Sequence, residues 1–161
     1  MILVLVGTHN IGFDRLVQSA DDLAALISET VIIQKGSSTY IPRYAEFFDF
    51  ASGKCIDDLA GNASVMITHA AAGSILLAIL LGKPLVVVPR LKRFGEALDD
   101  HQQQLAKAIA VQYEAPVVNA VTGEDLFEGI QEACHRKIFT PGNSMLVQAL
   151  SHQLSVWERV D

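Results

Sequence analysis

Ile67-Thr68-His69-Ala70-Ala71-Ala72-Gly73-Ser74 decides the reading of this chain. Leu85-Val86-Val87-Val88-Pro89-Arg90 and Asp99-Asp100-His101-Gln102-Gln103-Gln104 follow it. The order reads as strand, small-residue turn, helix, strand, polar loop, helix. The turn sets small residues where a helix begins, so backbone N–H groups can approach an anion there. The loop after the second strand adds side-chain amides and carboxylates near the same sheet edge. Together they describe a pocket for a ligand with phosphates and hydroxyls, such as a sugar nucleotide.

Outward from this stretch, short apolar runs alternate with helical periodicities. Residues 2–6 read as a strand opening into the loop Gly7-Thr8-His9-Asn10-Ile11-Gly12. A helix is expected over 13–28, with Asp14 in its first turn. Strands are expected over 31–34, 46–50, 64–68 and 85–88, and helices over 55–60 and 74–81. Further on come a helix over 101–110, a very short strand at 117–118 and a helix over 124–134. Thr140-Pro141-Gly142 breaks the chain before a terminal amphipathic helix over 144–158. Met145, Leu146, Ala149, Leu150, Leu154 and Trp157 form its apolar stripe. The alternation predicts a single α/β domain over 1–161, Rossmann-like, with a mainly parallel sheet flanked by helices. Ligands of such sheets sit outside the carboxyl ends of the strands. The Gly7 loop, the 70–73 turn and the loop after Val88 all follow strands, so all three reach that edge.

The bulk properties agree. The 161 residues suffice for one domain with a real core. Half of them are hydrophobic, which suits strands buried on both faces. The formal charge of −6 gives no general attraction for nucleic acid or an acidic membrane. Cys55 and Cys134 match no metal-ligand spacing and read as reduced, buried or half-buried thiols, in line with cytosolic usage. The apolar run at 2–6 lacks the basic flank of a signal peptide. No apolar stretch reaches the ~18 residues of a membrane span.

Each motif has two readings. The Gly7–Gly12 loop either turns its backbone and Thr8 toward a diphosphate or acceptor, or is a plain turn. It is neither a P-loop nor a dinucleotide fingerprint, so ATP and NAD are not indicated. His69 either faces a ligand or bonds a nearby carbonyl. His101 starts another candidate segment, but no third ligand suggests zinc. Ser74 either caps its helix, worth ~1 kcal/mol, or donates to a phosphate. Asp99 or Asp100 caps the next helix, or shares with Gln102 and Gln103 the reading of sugar hydroxyls. The basic run from Pro89 to Arg93 neutralises phosphate, contacts a phospholipid-linked acceptor, or is solvated. The terminal helix packs on its own domain or docks a partner.

Four segments together carry a resemblance. They are Gly7-Thr8 with Phe13-Asp14-Arg15-Leu16-Val17, then 69–74, then Gly82-Lys83-Pro84 through Arg90, then Gly95-Glu96 with Asp99-Asp100-His101-Gln102. In that order they resemble the C-terminal domain of glycosyltransferase family 28, over nearly the whole chain. The likeness is strongest to stand-alone, half-size members. These are the cytosolic subunit of the dolichol-linked GlcNAc transferase and the small subunits of bacterial exopolysaccharide glycosyltransferases.

The resemblance implies one half of a GT-B glycosyltransferase, a hexosyltransferase active with a partner subunit. The donor is a nucleotide-sugar, usually UDP-linked, with no metal and no other cofactor. The implied donor-binding residues are Gly7, Thr8, His69, Ala70, Ala72, Gly73, Ser74, Arg90, Asp100, His101, Gln102 and Gln103. The turn and helix start hold the diphosphate, while Asp100, Gln102 and Gln103 face the sugar. The reaction is an inverting displacement at the anomeric carbon, with its general base on the other domain, so no catalytic residue is assigned here. The implied partner is a membrane-associated, acceptor-binding subunit carrying a lipid-linked acceptor in polysaccharide or glycolipid biosynthesis. That places the chain in the cytoplasm, peripheral to the membrane through its partner, with a homodimer open to it in isolation. Two departures stand inside the key segment. Ala71 replaces a glycine, and Leu77 replaces an acid that bonds the ribose hydroxyls. They favour an alternative, a non-catalytic regulatory or scaffold subunit.

Overall fold

The computed structural model describes residues 1–97, 106–108, 115–118 and 122–135. The strands are β1 (Ile2–Leu5), β2 (Val31–Gln34), β3 (Glu46–Phe48), β4 (Val65–His69) and β5 (Leu85–Val88). The helices are α1 (Asp14–Leu26), α2 (Gly53–Asn62), α3 (Ala72–Leu80) and α4 (Gly123–His135). All strands pair in parallel, in the order β3-β2-β1-β4-β5. Val117 adds a parallel bridge to Val87 on the β5 side.

Side chains alternate across a strand, so β1 feeds both faces of the sheet. Ile2, Val4 and Val6 join one core with Leu16, Val17, Ala20 and Leu23 of α1 and Leu126 of α4. Leu3 and Leu5 join the other with Ala60 of α2 and Ile75, Ala78 and Ile79 of α3. Burial on both faces is why these strands carry no polar alternation.

β1 leads to β2 on one side and neighbours β4 on the other. The strand order therefore reverses beside β1, and a crevice opens at the carboxyl ends of β1 and β4.

Several expected boundaries move. α2 starts earlier than residue 55, because Ser52 caps it by accepting the Cys55 N–H at 3.3 Å. α3 starts at Ala72 rather than Ser74, so Ser74 lies within its first turn and does not cap it. β3 ends at Phe48. Both cysteines are free, as expected, but exposed rather than buried. The polar loop at 99–104 and the terminal helix over 144–158 lie outside the described residues.

Candidate functional site

A cleft of about 330 Å³ occupies the crevice. Its walls come from the end of β1 (Leu5, Gly7, Thr8), from Gln34, and from the 50–56 segment (Phe50, Ala51, Ile56). The far wall is His69 with the start of α3 (Ala71, Gly73, Ser74, Leu77). Gly7, Thr8, His69, Gly73 and Ser74 are thus brought together as the sequence suggested.

Gly7 is held from two directions. Its φ is +86°, a conformation that suits glycine. Gln34 accepts the Gly7 N–H on Oε1 at 3.0 Å and donates from Nε2 to the Gly7 carbonyl at 2.9 Å. The same Nε2 also donates to the Asp49 carbonyl at 3.1 Å. Gln34 was missed from sequence. Its signal was a lone amide closing an otherwise apolar strand.

His69 donates from Nδ1 to the Leu5 carbonyl at 3.2 Å, which fixes the tautomer and leaves Nε2 as an acceptor. Burial pushes its pKa down to about 4, and Arg90 and His9 push the same way against the Leu5 carbonyl. The ring is therefore neutral near pH 7. The carbonyl-bonding reading of His69 holds, and the ring also lines the cleft.

At α3 the first-turn N–H groups lack intrahelical acceptors, as at every helix start. Ala71 adopts extended backbone before the helix, and no side chain caps it. The Ser74 hydroxyl donates back to the Ala71 carbonyl at 3.3 Å. Gly73 has no heavy atom within 4 Å of where a Cβ would stand, so its backbone is open to the cleft. Ala70 is buried in the core and Ala72 faces outward; neither lines the cleft.

Arg90 corrects the sequence reading. It is 2 % exposed and lies beneath the loops, not in the cleft. Its Nη1 donates to the carbonyls of Ile11 at 2.9 Å, Gly12 at 2.8 Å and Glu96 at 3.2 Å, and Nη2 to Val6 at 3.1 Å. The guanidinium also stacks on Phe13, 4.7 Å from the ring centre. A planar, five-donor cation suits several carbonyls at once, which is why the loops close around arginine here.

Arg15 completes this frame with a bidentate pair to Glu96, both contacts at 2.7 Å, and a bond to the Pro89 carbonyl at 3.0 Å. Asp14 accepts from the Thr39 N–H and hydroxyl, both at 2.6 Å. Seven residues on, buried Asp21 accepts the N–H groups of Arg43, Tyr44 and Ala45 and the Tyr40 hydroxyl. Burial alone would raise the Asp21 carboxyl; those donors outweigh it and hold it below its ordinary value.

Among the described residues no cluster of His, Cys, Asp and Glu could hold a metal ion. No described helix is long and apolar enough to cross a membrane. Asp100, His101, Gln102 and Gln103 lie outside the described residues.

The parallel sheet, its flanking helices and the cleft at the β1–β4 switch have the Rossmann-like architecture of one half of a GT-B glycosyltransferase. The model of the glycosyltransferase family 28 C-terminal domain matches residues 1–145, and the chain belongs to that family. Among solved structures, the glycotransferase of kitacinnamycin is similar at TM-score 0.64 and 19 % identity, over 99 % of this chain and 43 % of that one. MurG of Acinetobacter baumannii gives 0.57 and 18 %, over 95 % and 49 %. ALG13 gives 0.59 and 20 %, over 95 % of this chain and 94 % of that one. The chain thus spans less than half of the two larger enzymes and nearly all of the third. No curated protein matches by sequence.

Proposed function

We propose that this chain binds the donor of an inverting glycosyltransferase whose acceptor site lies on a separate, membrane-associated subunit. The donor is a nucleotide-sugar, UDP-linked as the working expectation, and the acceptor is lipid-linked, in polysaccharide or glycolipid biosynthesis. The observation that carries this is the cleft where the open first turn of α3 meets Gly7 and Thr8, in a family 28 chain. The half-size likeness to ALG13 supports the two-subunit form.

The chemistry follows from the wall. A diphosphate at the start of α3 accepts from backbone N–H groups and sits at the positive end of the helix. These donors stabilise the charge that grows as the diphosphate leaves the anomeric carbon. The acceptor hydroxyl attacks the opposite face, so the configuration inverts. Its proton goes to a base on the partner.

A second reading, a scaffold subunit without catalysis, is favoured by Ala71 and Leu77 inside the cleft. Calorimetry with UDP and UDP-sugars, on the chain alone and with a co-expressed membrane-associated subunit, separates the two. Micromolar to millimolar binding and transfer to a lipid-linked acceptor are expected. Undetectable binding at millimolar ligand, even with the partner, decides for the scaffold.

A further inference from the structure

We infer that a separate pocket, beside the start of α1, is a subsite for a neutral sugar ring. The inference deepens the glycosyltransferase reading above and rests on it for the source of the sugar, the donor or the acceptor.

The pocket measures about 380 Å³, within the roughly 300–1,000 Å³ of small-molecule sites. The Gly7–Gly12 loop serves both it and the cleft: Gly7 and Thr8 line the cleft, Ile11 and Gly12 the pocket. Among the described residues none lines both. The rest of the pocket wall comes from the start of α1, the turn after β2 and the segment after β5. Charge in that wall rules against ions. Asp14 and Glu96 stand there with Arg15, one carboxylate in excess, so an anion is repelled. Glu96 gives both oxygens to Arg15 at 2.7 Å, and Asp14 accepts three donors from Thr39 and Tyr40. Neither carboxylate is therefore open to a cation.

What the wall suits is a neutral ligand with an apolar face and a polar edge. Phe94 supplies the apolar platform. It ends a 3-10 turn over Lys92–Phe94 that Gly95 closes at φ +70°. The guanidiniums of Arg15 and Arg93 hold its ring, 5.1 and 4.9 Å from the centre, yet the residue is 55 % exposed. The negative face of such a ring attracts the C–H groups of a pyranose. Hydroxyls stand in the same wall. Ser37 offers one, and Thr39, having donated to Asp14, keeps lone pairs to accept from the sugar. A pyranose brings the matching parts, a face of C–H groups and an edge of hydroxyls, without charge. The shared loop sets the pocket beside the cleft, within reach of the transferred sugar and of the acceptor's own.

The test titrates the purified protein with the methyl glycosides of glucose, galactose, N-acetylglucosamine and glucuronic acid, following backbone amide shifts by NMR. At least one neutral glycoside is expected to bind at millimolar concentration and to shift the amides of Gly12, Ser37 and Phe94. Phe94→Ala and Ser37→Ala are each expected to weaken it about fivefold, and added salt to leave it unchanged. Silence at those amides with all four glycosides overturns the inference. So does a glucuronide that binds tighter than every neutral glycoside, and so do shifts at Gly7 and Gly73 in their place. UDP and the UDP-linked form of the glycoside that binds separate the two sources. A glycoside that binds beside both, each at saturation, stands for the acceptor's sugar; one displaced by the UDP-sugar but not by UDP stands for the donor's. Glycoside binding without any UDP binding removes the donor-site reading and leaves the subsite standing. The shift map of the unsubstituted protein decides even where a variant does not fold.

Discussion

The Cβ that Gly7 lacks would fall 2.5 Å from Cε1 of His69 and 2.6 Å from Nε2. The end of β1 and the end of β4 are thus packed backbone against ring. Gly7→Ala adds a left-handed φ for a residue with a side chain to this overlap. A loss of about 2–4 kcal/mol is expected, read from the urea midpoint. Removing the ring with His69→Ala relieves the overlap, so the double variant is more stable than the two single losses summed. Strict additivity would show that the ring is not what Gly7 accommodates.

Protonation of His69 is the second test. Its folded pKa is about 4 against an ordinary 6.5. Above pH 6.5 both states are neutral and its contribution is complete. As pH falls from 6.5 through 4 the unfolded chain takes up the proton first, and stability drops by about 3 kcal/mol in all. Below that the curve levels for this group. His69→Gln is expected to lack the drop in this window, in unfolding free energies measured from pH 7.5 to 4.

Gly73→Ala separates stability from binding. Alanine favours a helix by about 0.5–1 kcal/mol over glycine, and a Cβ here meets open space. The melting temperature is expected to hold or rise by a few degrees. Nucleotide affinity is expected to fall tenfold or more, because the methyl stands where a phosphate approaches the backbone. Unchanged affinity would move the anion away from α3.

Asp21→Ala strips the acceptor from three backbone N–H groups and the Tyr40 hydroxyl. The site is fully buried, so a loss of about 3 kcal/mol or more is expected. Hydrogen exchange at Arg43, Tyr44 and Ala45 should accelerate ahead of the β-sheet. The carboxyl is held below its ordinary 3.8, so its stabilisation is complete above that pH and fades as acid carries it through the folded value.

β1 and β5 were legible because burial on both faces writes itself as uninterrupted Val, Ile and Leu. The cleft was legible because Gly7 and the 69–74 turn must follow strands that share an edge. The start of α3 was misplaced because Ser74 looks like a cap, while Ala71 enters the helix with none. Arg90 read as a donor-binding cation in a basic run. Only the folded chain shows that the carbonyls of Val6, Ile11 and Gly12 converge on it. Gln34 and Asp21 hold partners distant in sequence, and such bonds leave no local period to read.

Arg90 turned inward has a kinetic consequence. With that guanidinium enclosed and His69 neutral, no side chain of the described cleft wall carries formal charge at pH 7. The whole chain carries −6. An anionic ligand therefore meets net repulsion at long range and attraction on arrival, from dipoles at the helix end and from the enclosed Arg90, whose charge already reaches His69. Capture is unsteered, and added salt, by screening the repulsion, quickens association instead of slowing it.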